Sequence, residues 1–329
     1  MPRVARQADS AAEKSANRII RVLRWFRLIA HIGAGLIAVG AIYPRVSARR
    51  RARITGWWAR KLLRILNVLV SANGLQPDAD AKNLIVTSNH ISWLDIFVIN
   101  ATQPSRFVAK SEIRDWPIAG WLCEKAGTIF IRRTRRSDTA KINETMRAVL
   151  AEGATIGFFP EGTTTVGDKL LKFHTSLFEP AVANDATIVP VAIRYRTGDG
   201  EPSAAAAFIG ELSFVESVAQ IITQNSMIAE ITFAPHIAAT GQTRRELALK
   251  AESAVAAILN VPQPHTHQRF SAQDAQVPTS PCRLSAGALR QPKSSKSRMD
   301  GSVLVRAWRV PSPQRNQPEK LRDPPVAWR

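Results

Sequence analysis

The sequence predicts an α/β fold, a largely parallel or mixed sheet flanked by helices, preceded by an apolar and amphipathic helical segment that binds a membrane. Three observations predict it. Strand-like and helix-like patterns alternate from Asn83 to about residue 260, one long uncharged apolar run stands near the start, and the positive charge is confined to the two ends. Strands spaced by crossover helices are how a parallel sheet is connected.

In chain order, the run Leu28 to Tyr43 is flanked by Arg24 and Arg27 before it and by Arg45 and Arg49 to Arg51 after it. As a helix it would measure about 24 Å, short of the roughly 30 Å hydrocarbon core, so a shallow anchor is expected at least as readily as a span. Val46-Ser47-Ala48 resembles a signal cleavage site, but the three arginines directly after it oppose export. Ile54, Trp57, Trp58, Leu62, Ile65, Leu66, Leu69 and Val70 then recur at three- and four-residue steps opposite Arg60, Lys61, Arg64 and Asn67. That periodicity predicts an amphipathic helix, either interfacial or packed on the core. Strands are predicted at 84–87, 107–109, 128–131, 155–159, 188–193, 207–209 and 228–233. Helices are predicted at 93–100, 118–125, 139–151, 175–182, 214–223 and 243–259. Beyond Pro262 the periodicity stops, and the last 67 residues hold 9 of the 20 prolines; such a tail is expected to be disordered. The organisation is therefore a basic, membrane-binding 1–72, a catalytic-size domain 73–262 and a basic tail 263–329.

The formal net charge of +19 would suit a nucleic-acid binder if it lay on the folded body. It does not: residues 1–64 carry 15 cations against 2 acids, residues 263–329 carry 12 against 4, and the 198 between carry 18 against 20. Basic ends around apolar residues suit an anionic membrane surface, and no nucleic acid is expected as a partner. Cys123 and Cys282 are too few for a disulfide framework and belong to no metal-ligand spacing, so a reducing, cytoplasmic site of action is the simpler reading.

Three stretches can carry chemistry. Ser88-Asn89-His90-Ile91-Ser92-Trp93-Leu94-Asp95 passes from a strand into a helix, where α/β folds expose reactive groups. A carboxylate on one ring nitrogen of His90 would fix its tautomer and leave the other to take a proton. A structural pair at a helix start is the competing reading. Phe158-Phe159-Pro160-Glu161-Gly162-Thr163-Thr164-Thr165 ends another strand with an acid, a glycine and three hydroxyls, a set that can hold a polar ligand, although by itself a plain turn with an N-cap is the favoured reading. Gly127-Thr128-Ile129-Phe130-Ile131 runs into Arg132, Arg133, Arg135 and Arg136. The guanidinium fork of one or two of them matches an anionic head group; the alternative is a solvated cationic loop, the preferred reading for Arg135 and Arg136.

Asn89-His90-x-x-x-x-Asp95, Phe130-Ile131-x-Arg133 preceded by Gly127, Phe159-Pro160-Glu161-Gly162 and Val189-Pro190-Val191 stand in one order over about residues 65–262. Together they resemble the four motif blocks of the glycerolipid acyltransferases, in particular the bacterial 1-acyl-sn-glycerol-3-phosphate acyltransferases and their lysophospholipid-acylating relatives. The resemblance implies that His90 is the general base on the acceptor hydroxyl and that Asp95 orients it. It further implies that Arg133 or its neighbour Arg132, with Glu161, Gly162 and Thr163, holds the acceptor, and that Pro190 shapes the acyl side. The implied donor is acyl-CoA or acyl carrier protein, a co-substrate, with no metal or bound cofactor, and the implied setting is the cytoplasmic face of the inner membrane. The first acceptor on this reading is 1-acyl-sn-glycerol-3-phosphate, giving phosphatidic acid. Two features depart from it. Thr164 stands where many members acting on lysophosphatidic acid have Arg, and Phe173-His174-Thr175-Ser176-Leu177-Phe178 resembles lyso-ornithine lipid acyltransferases. Another lyso-lipid acceptor, or a membrane-tethered lipid-binding protein without catalysis, is the alternative.

Overall fold

The order in which the strands pair decides which loops meet. The computed structural model describes residues 16–78, 80–116, 119–131 and 136–264, all of them within the compact unit Met1–Val277. Along the chain these form α1 (Arg18–Ile37), α2 (Ala48–Ile65), β1 (Val68–Gly74), β2 (Leu84–Ser88), α3 (Leu94–Thr102), β3 (Ser105–Lys110), α4 (Ala119–Lys125) and β4 (Ile129–Ile131). Then follow α5 (Arg136–Ala151), β5 (Thr155–Phe158), α6 (Glu179–Ala183), β6 (Thr187–Thr197), α7 (Phe214–Thr223), β7 (Met227–Phe233), β8 (Ile237–Ala238) and α8 (Arg244–Leu259). Among the described residues the sheet order is β1-β7-β6-β2-β5-β3-β4, with β8 on β6. Only the β6–β7 and β6–β8 pairs are antiparallel, so the sheet is mixed and mostly parallel.

Side-chain alternation divides the central strands between two cores. Leu84 and Val86 of β2, and Val189, Val191, Ile193 and Tyr195 of β6, join α2, α3 and α7 on one face. Ile85, Ile188 and Ala192 join α5, α6 and α8 on the other. Every residue of β2 is buried, as expected of a strand covered on both sides. Helix ends follow local chemistry: Ser213 and Thr243 each begin α7 and α8 with a capping box closed by Glu216 and Glu246.

The N-terminal apolar segment is longer than its uncharged run. α1 begins at Arg18 and continues through a π turn (Ala38–Ile42) and a 3-10 turn (Tyr43–Arg45), 28 helical residues long and apolar enough to cross a membrane. A helix of this kind suits membrane association. Five arginines lie in it, and Arg24 is accommodated because its guanidinium donates to the carbonyls of Ile222, Gln224 and Asn225 at 2.5–3.1 Å. Ile19, Val22, Leu23, Phe26, Ile29 and Ile37 remain exposed.

Other expectations need correction. The predicted amphipathic helix stops at Ile65, because Asn67 turns left-handed (φ 57°) and sends Leu69 and Val70 into edge strand β1. Residues 207–209 form no strand; the backbone of Phe208 is bonded to Ile91 and Thr164 in the loops around His90 instead. The predicted helix 175–182 is a 3-10 turn, Thr175–Phe178, followed by the short α6 with Pro180 in its first turn. β6 runs four residues past its predicted end, to Thr197. Residues 265–329, nearly all of the predicted tail, lie outside the described residues.

Candidate active site

β2 lies between β5 and β6 with all three parallel. Thr87 stands level with Phe158 of β5 and with Pro190 of β6. The loops leaving the carboxyl ends of β2 and β5 therefore emerge side by side, the usual place for an α/β site. Asn89 continues the β2–β6 pairing with its side chain: its amide donates to Ile193 O at 3.0 Å and its carbonyl accepts from Ile193 N at 2.8 Å. The chain then turns, carrying His90 out of the sheet and Asp95 into the first turn of α3, where the helix dipole favours an acid.

His90 Nδ1 and Asp95 Oδ2 are 2.9 Å apart. The same oxygen accepts from the backbone N–H groups of Ile91 and Ser92, at 2.7 and 2.9 Å. Its partner Oδ1 accepts from the Tyr195 hydroxyl at 2.7 Å. Asp95 is fully buried, and three other donors already surround its oxygens. The proton shared with His90 therefore belongs to the ring nitrogen, which fixes the Nδ1–H tautomer. Burial and the adjacent Asp95 carboxylate push the Tyr195 phenol well above its usual range, so it stays a donor. The His90 ring, 20% exposed, stacks on Phe159 with centroids 3.8 Å apart and planes 6° from parallel. Phe107 backs Phe159 in turn.

Glu161 ties the two loops together. Its Oε1 accepts from His90 N–H at 2.8 Å and its Oε2 from Leu171 N–H at 2.9 Å. Burial raises its pKa to about 7, against the lowering effect of those two bonds and with the Asp95 and Glu252 charges adding to the rise. Thr165 N–H donates to His90 O at 2.9 Å. Gly162, at φ 75°, makes the turn that returns to Phe159 O, and Thr163 is exposed beside it. The Thr164 hydroxyl donates to the Phe208 carbonyl, while Phe208 N–H donates to Ile91 O at 2.9 Å. Between these loops opens a cleft of about 310 Å³, lined by Thr164, Thr165, Val166, Asp168, Lys169, Leu171 and Ile209.

The structure thus brings together His90, Asp95, Glu161, Gly162 and Thr163, with Pro190 one strand away, buried beside Thr87. Arg132 and Arg133 lie outside the described residues; the strand leading to them, β4, is two strands from β5. Sequence reasoning missed Tyr195. The signal was the alternation Val189, Val191, Ile193, Tyr195, which puts the phenol on the face of the sheet that α3 covers.

With this geometry in place, the chain can be set against known proteins. A family model described as Acyltransferase matches residues 70–194. A lyso-ornithine lipid O-acyltransferase of Pseudomonas aeruginosa is 36% identical over 72% of this chain and 91% of that one. A 1-acyl-sn-glycerol-3-phosphate acyltransferase of Neisseria gonorrhoeae is 34% identical over 54% of this chain and 70% of that one. The crystal structure of the 1-acyl-sn-glycerophosphate acyltransferase PlsC from Thermotoga maritima superposes with a TM-score of 0.53. It has 20% identity and covers 77% of this chain and 95% of that one, a likeness of fold.

Proposed function

The chain belongs to the acyltransferase family as an O-acyltransferase of lyso-lipids, and we propose that its acceptor is lyso-ornithine lipid. Two observations support this acceptor: the extent of the match to the Pseudomonas aeruginosa relative, and Thr164, an uncharged residue whose hydroxyl is committed to a backbone carbonyl. Lysophosphatidic acid, the acceptor the sequence motifs put first, is the second reading, and the Neisseria gonorrhoeae relative is the observation that favours it.

The chemistry rests on the 2.9 Å pair of His90 Nδ1 and Asp95 Oδ2. In the proposed reaction His90 Nε2 takes the proton of the acceptor hydroxyl as its oxygen attacks the thioester carbonyl. The C–O bond forms, the C–S bond breaks, and the imidazolium returns the proton to the leaving thiolate of coenzyme A or acyl carrier protein. Asp95 holds the ring and stabilises its cationic form, and Tyr195 holds Asp95. We assign Glu161 to positioning His90, since both its oxygens are engaged by backbone N–H groups. Gly162 and Thr163 border the acceptor and Pro190 shapes the acyl side; on the second reading Arg132 or Arg133 meets the phosphate. The sheet and its helices through Leu259 act as the catalytic unit, on the cytoplasmic face of the inner membrane. The apolar α1 and the basic N-terminus support that location.

Purified protein in mixed micelles, given a labelled acyl donor and a panel of lyso-lipids, tests the proposal. Lyso-ornithine lipid is expected to be acylated fastest. Faster acylation of lysophosphatidic acid would return the acceptor to the second reading, and transfer to no lyso-lipid would leave only a lipid-binding protein.

A further inference from the structure

The cleft next to His90 carries one acid and one base on its rim, Asp168 and Lys169, both exposed. Each of its walls is fastened to the His90–Ile91 backbone. On one side Thr165 N–H donates to His90 O, and Gly167 packs so closely on Ile91 that a Cβ there would sit 2.8 Å from its Cδ1. On the other side Phe208 N–H donates to Ile91 O, one residue before Ile209 on the rim. Both walls of the cleft are therefore anchored to the backbone of the residue that carries the imidazole and of its neighbour.

We propose that Asp168 and Lys169 are the head-group site for a zwitterionic, amino-acid-bearing lyso-lipid, Lys169 meeting its carboxylate and Asp168 its terminal ammonium. This deepens the acceptor reading above and rests on it. The opposite signs are the reason for the assignment. A phosphate monoester would be drawn to Lys169 and repelled by Asp168, whereas a zwitterion satisfies both, and like-charge opposition is how a site rejects the wrong partner. The Thr164 wall adds no cation to tip the balance toward phosphate. Val166 and Ile209, both partly exposed at the mouth, give the first methylenes of the acyl chain an apolar surface. Because both charged groups are in contact with solvent, each contact is worth about a 3- to 5-fold change, not loss of activity.

The test compares kcat/KM for lyso-ornithine lipid and lysophosphatidic acid, with one acyl donor, in the wild type, Asp168→Asn and Lys169→Gln. Asp168→Asn should lower use of lyso-ornithine lipid about 3- to 5-fold while leaving or improving use of lysophosphatidic acid, so that the preference ratio falls. Lys169→Gln should weaken both acceptors, since each carries an anion. Both positions are exposed, and equal melting temperatures would show that the variants fold. A ratio unchanged by Asp168→Asn, in a wild type that does acylate lyso-ornithine lipid, overturns this inference and leaves the acceptor reading standing. A wild type that does not acylate lyso-ornithine lipid overturns both.

Discussion

The loops after β2 and β5 start level with each other on adjacent strands, yet they are built in opposite ways. The first takes five residues to reach α3, and its polar groups Asn89, Ser92 and Asp95 are buried and hydrogen-bonded. The second runs from Phe159 past Leu171, exposes Thr163, Asp168 and Lys169, and is held at a few points by Glu161, Thr164 and Thr165. A short, saturated loop can hold a proton-transfer geometry within a few tenths of an ångström; a long one tied at intervals can vary its rim without moving the dyad. On the proposed reading, chemistry falls to the short, saturated loop and acceptor choice to the long one, and substitutions in the two should separate in kcat and KM.

The sharpest test of that division is the dyad. His90→Ala should lower kcat about 10²- to 10⁴-fold with little change in KM for the acceptor, the usual worth of general-base assistance. Retention of more than a tenth of wild-type turnover would break the comparison at its first term. Asp95→Asn should come close behind, since it keeps the size but loses the charge facing the imidazolium.

Tyr195→Phe extends the test to a residue a hundred positions away. It removes the donor on Asp95 Oδ1 and fits the same apolar face. A hydrogen bond to a charged group is worth about 1.5–3 kcal/mol, so kcat should fall about 10-fold or more. The carboxylate, with one donor fewer, should hold the dyad's proton more tightly, and the acid limb of the pH–rate profile should move to higher pH. Loss of stability with an unmoved pH profile would reduce Tyr195 to a packing residue.

How much of this could be read from the chain follows from distance along it. The His90/Asp95 pair was legible because one strand-to-helix turn makes both its neighbours. Tyr195 was not: its contact exists only because β6 is laid beside β2, and pairing order is not written in local periodicity. The same limit explains the segment around Phe208, whose apolar residues look like a strand while its backbone partners are Ile91 and Thr164. At Asn67 the failure was of another kind. The apolar spacing continues smoothly from α2 into β1, and only the left-handed Asn marks the change. The sheet's alternation of strands and helices, by contrast, was plain through the middle of the chain, because the central strands β2, β5 and β6 are buried on both faces and carry their own apolar runs.

Glu161 is where the comparison is most exposed to failure, because it belongs to the long loop and grips the short one. Glu161→Gln leaves one oxygen for two N–H donors, at a cost of about 1–3 kcal/mol in stability, and should lower kcat as well as raise KM. The pH dependence gives an independent check. With its pKa raised from 4.5 to about 7 in the fold, the native state binds more protons than the unfolded chain between those values. Glu161 therefore favours folding at low pH, and its contribution is lost as pH rises from about 4.5 through about 7. The difference in unfolding free energy between wild type and Glu161→Gln should change across that window and be flat on either side.

The mildest substitution carries the cleanest separation. The Thr164 hydroxyl donates to the Phe208 carbonyl, which fastens the far wall of the cleft without touching the dyad. Thr164→Val is nearly isosteric and removes only that bond, a neutral one worth about 0.5–1.5 kcal/mol. A looser wall should appear as a KM for the acceptor raised about 2- to 10-fold, with kcat unchanged. If kcat falls instead, the wall at Phe208 communicates with His90 through Ile91, and the two loops are one mechanical unit whose difference in stiffness has no functional meaning.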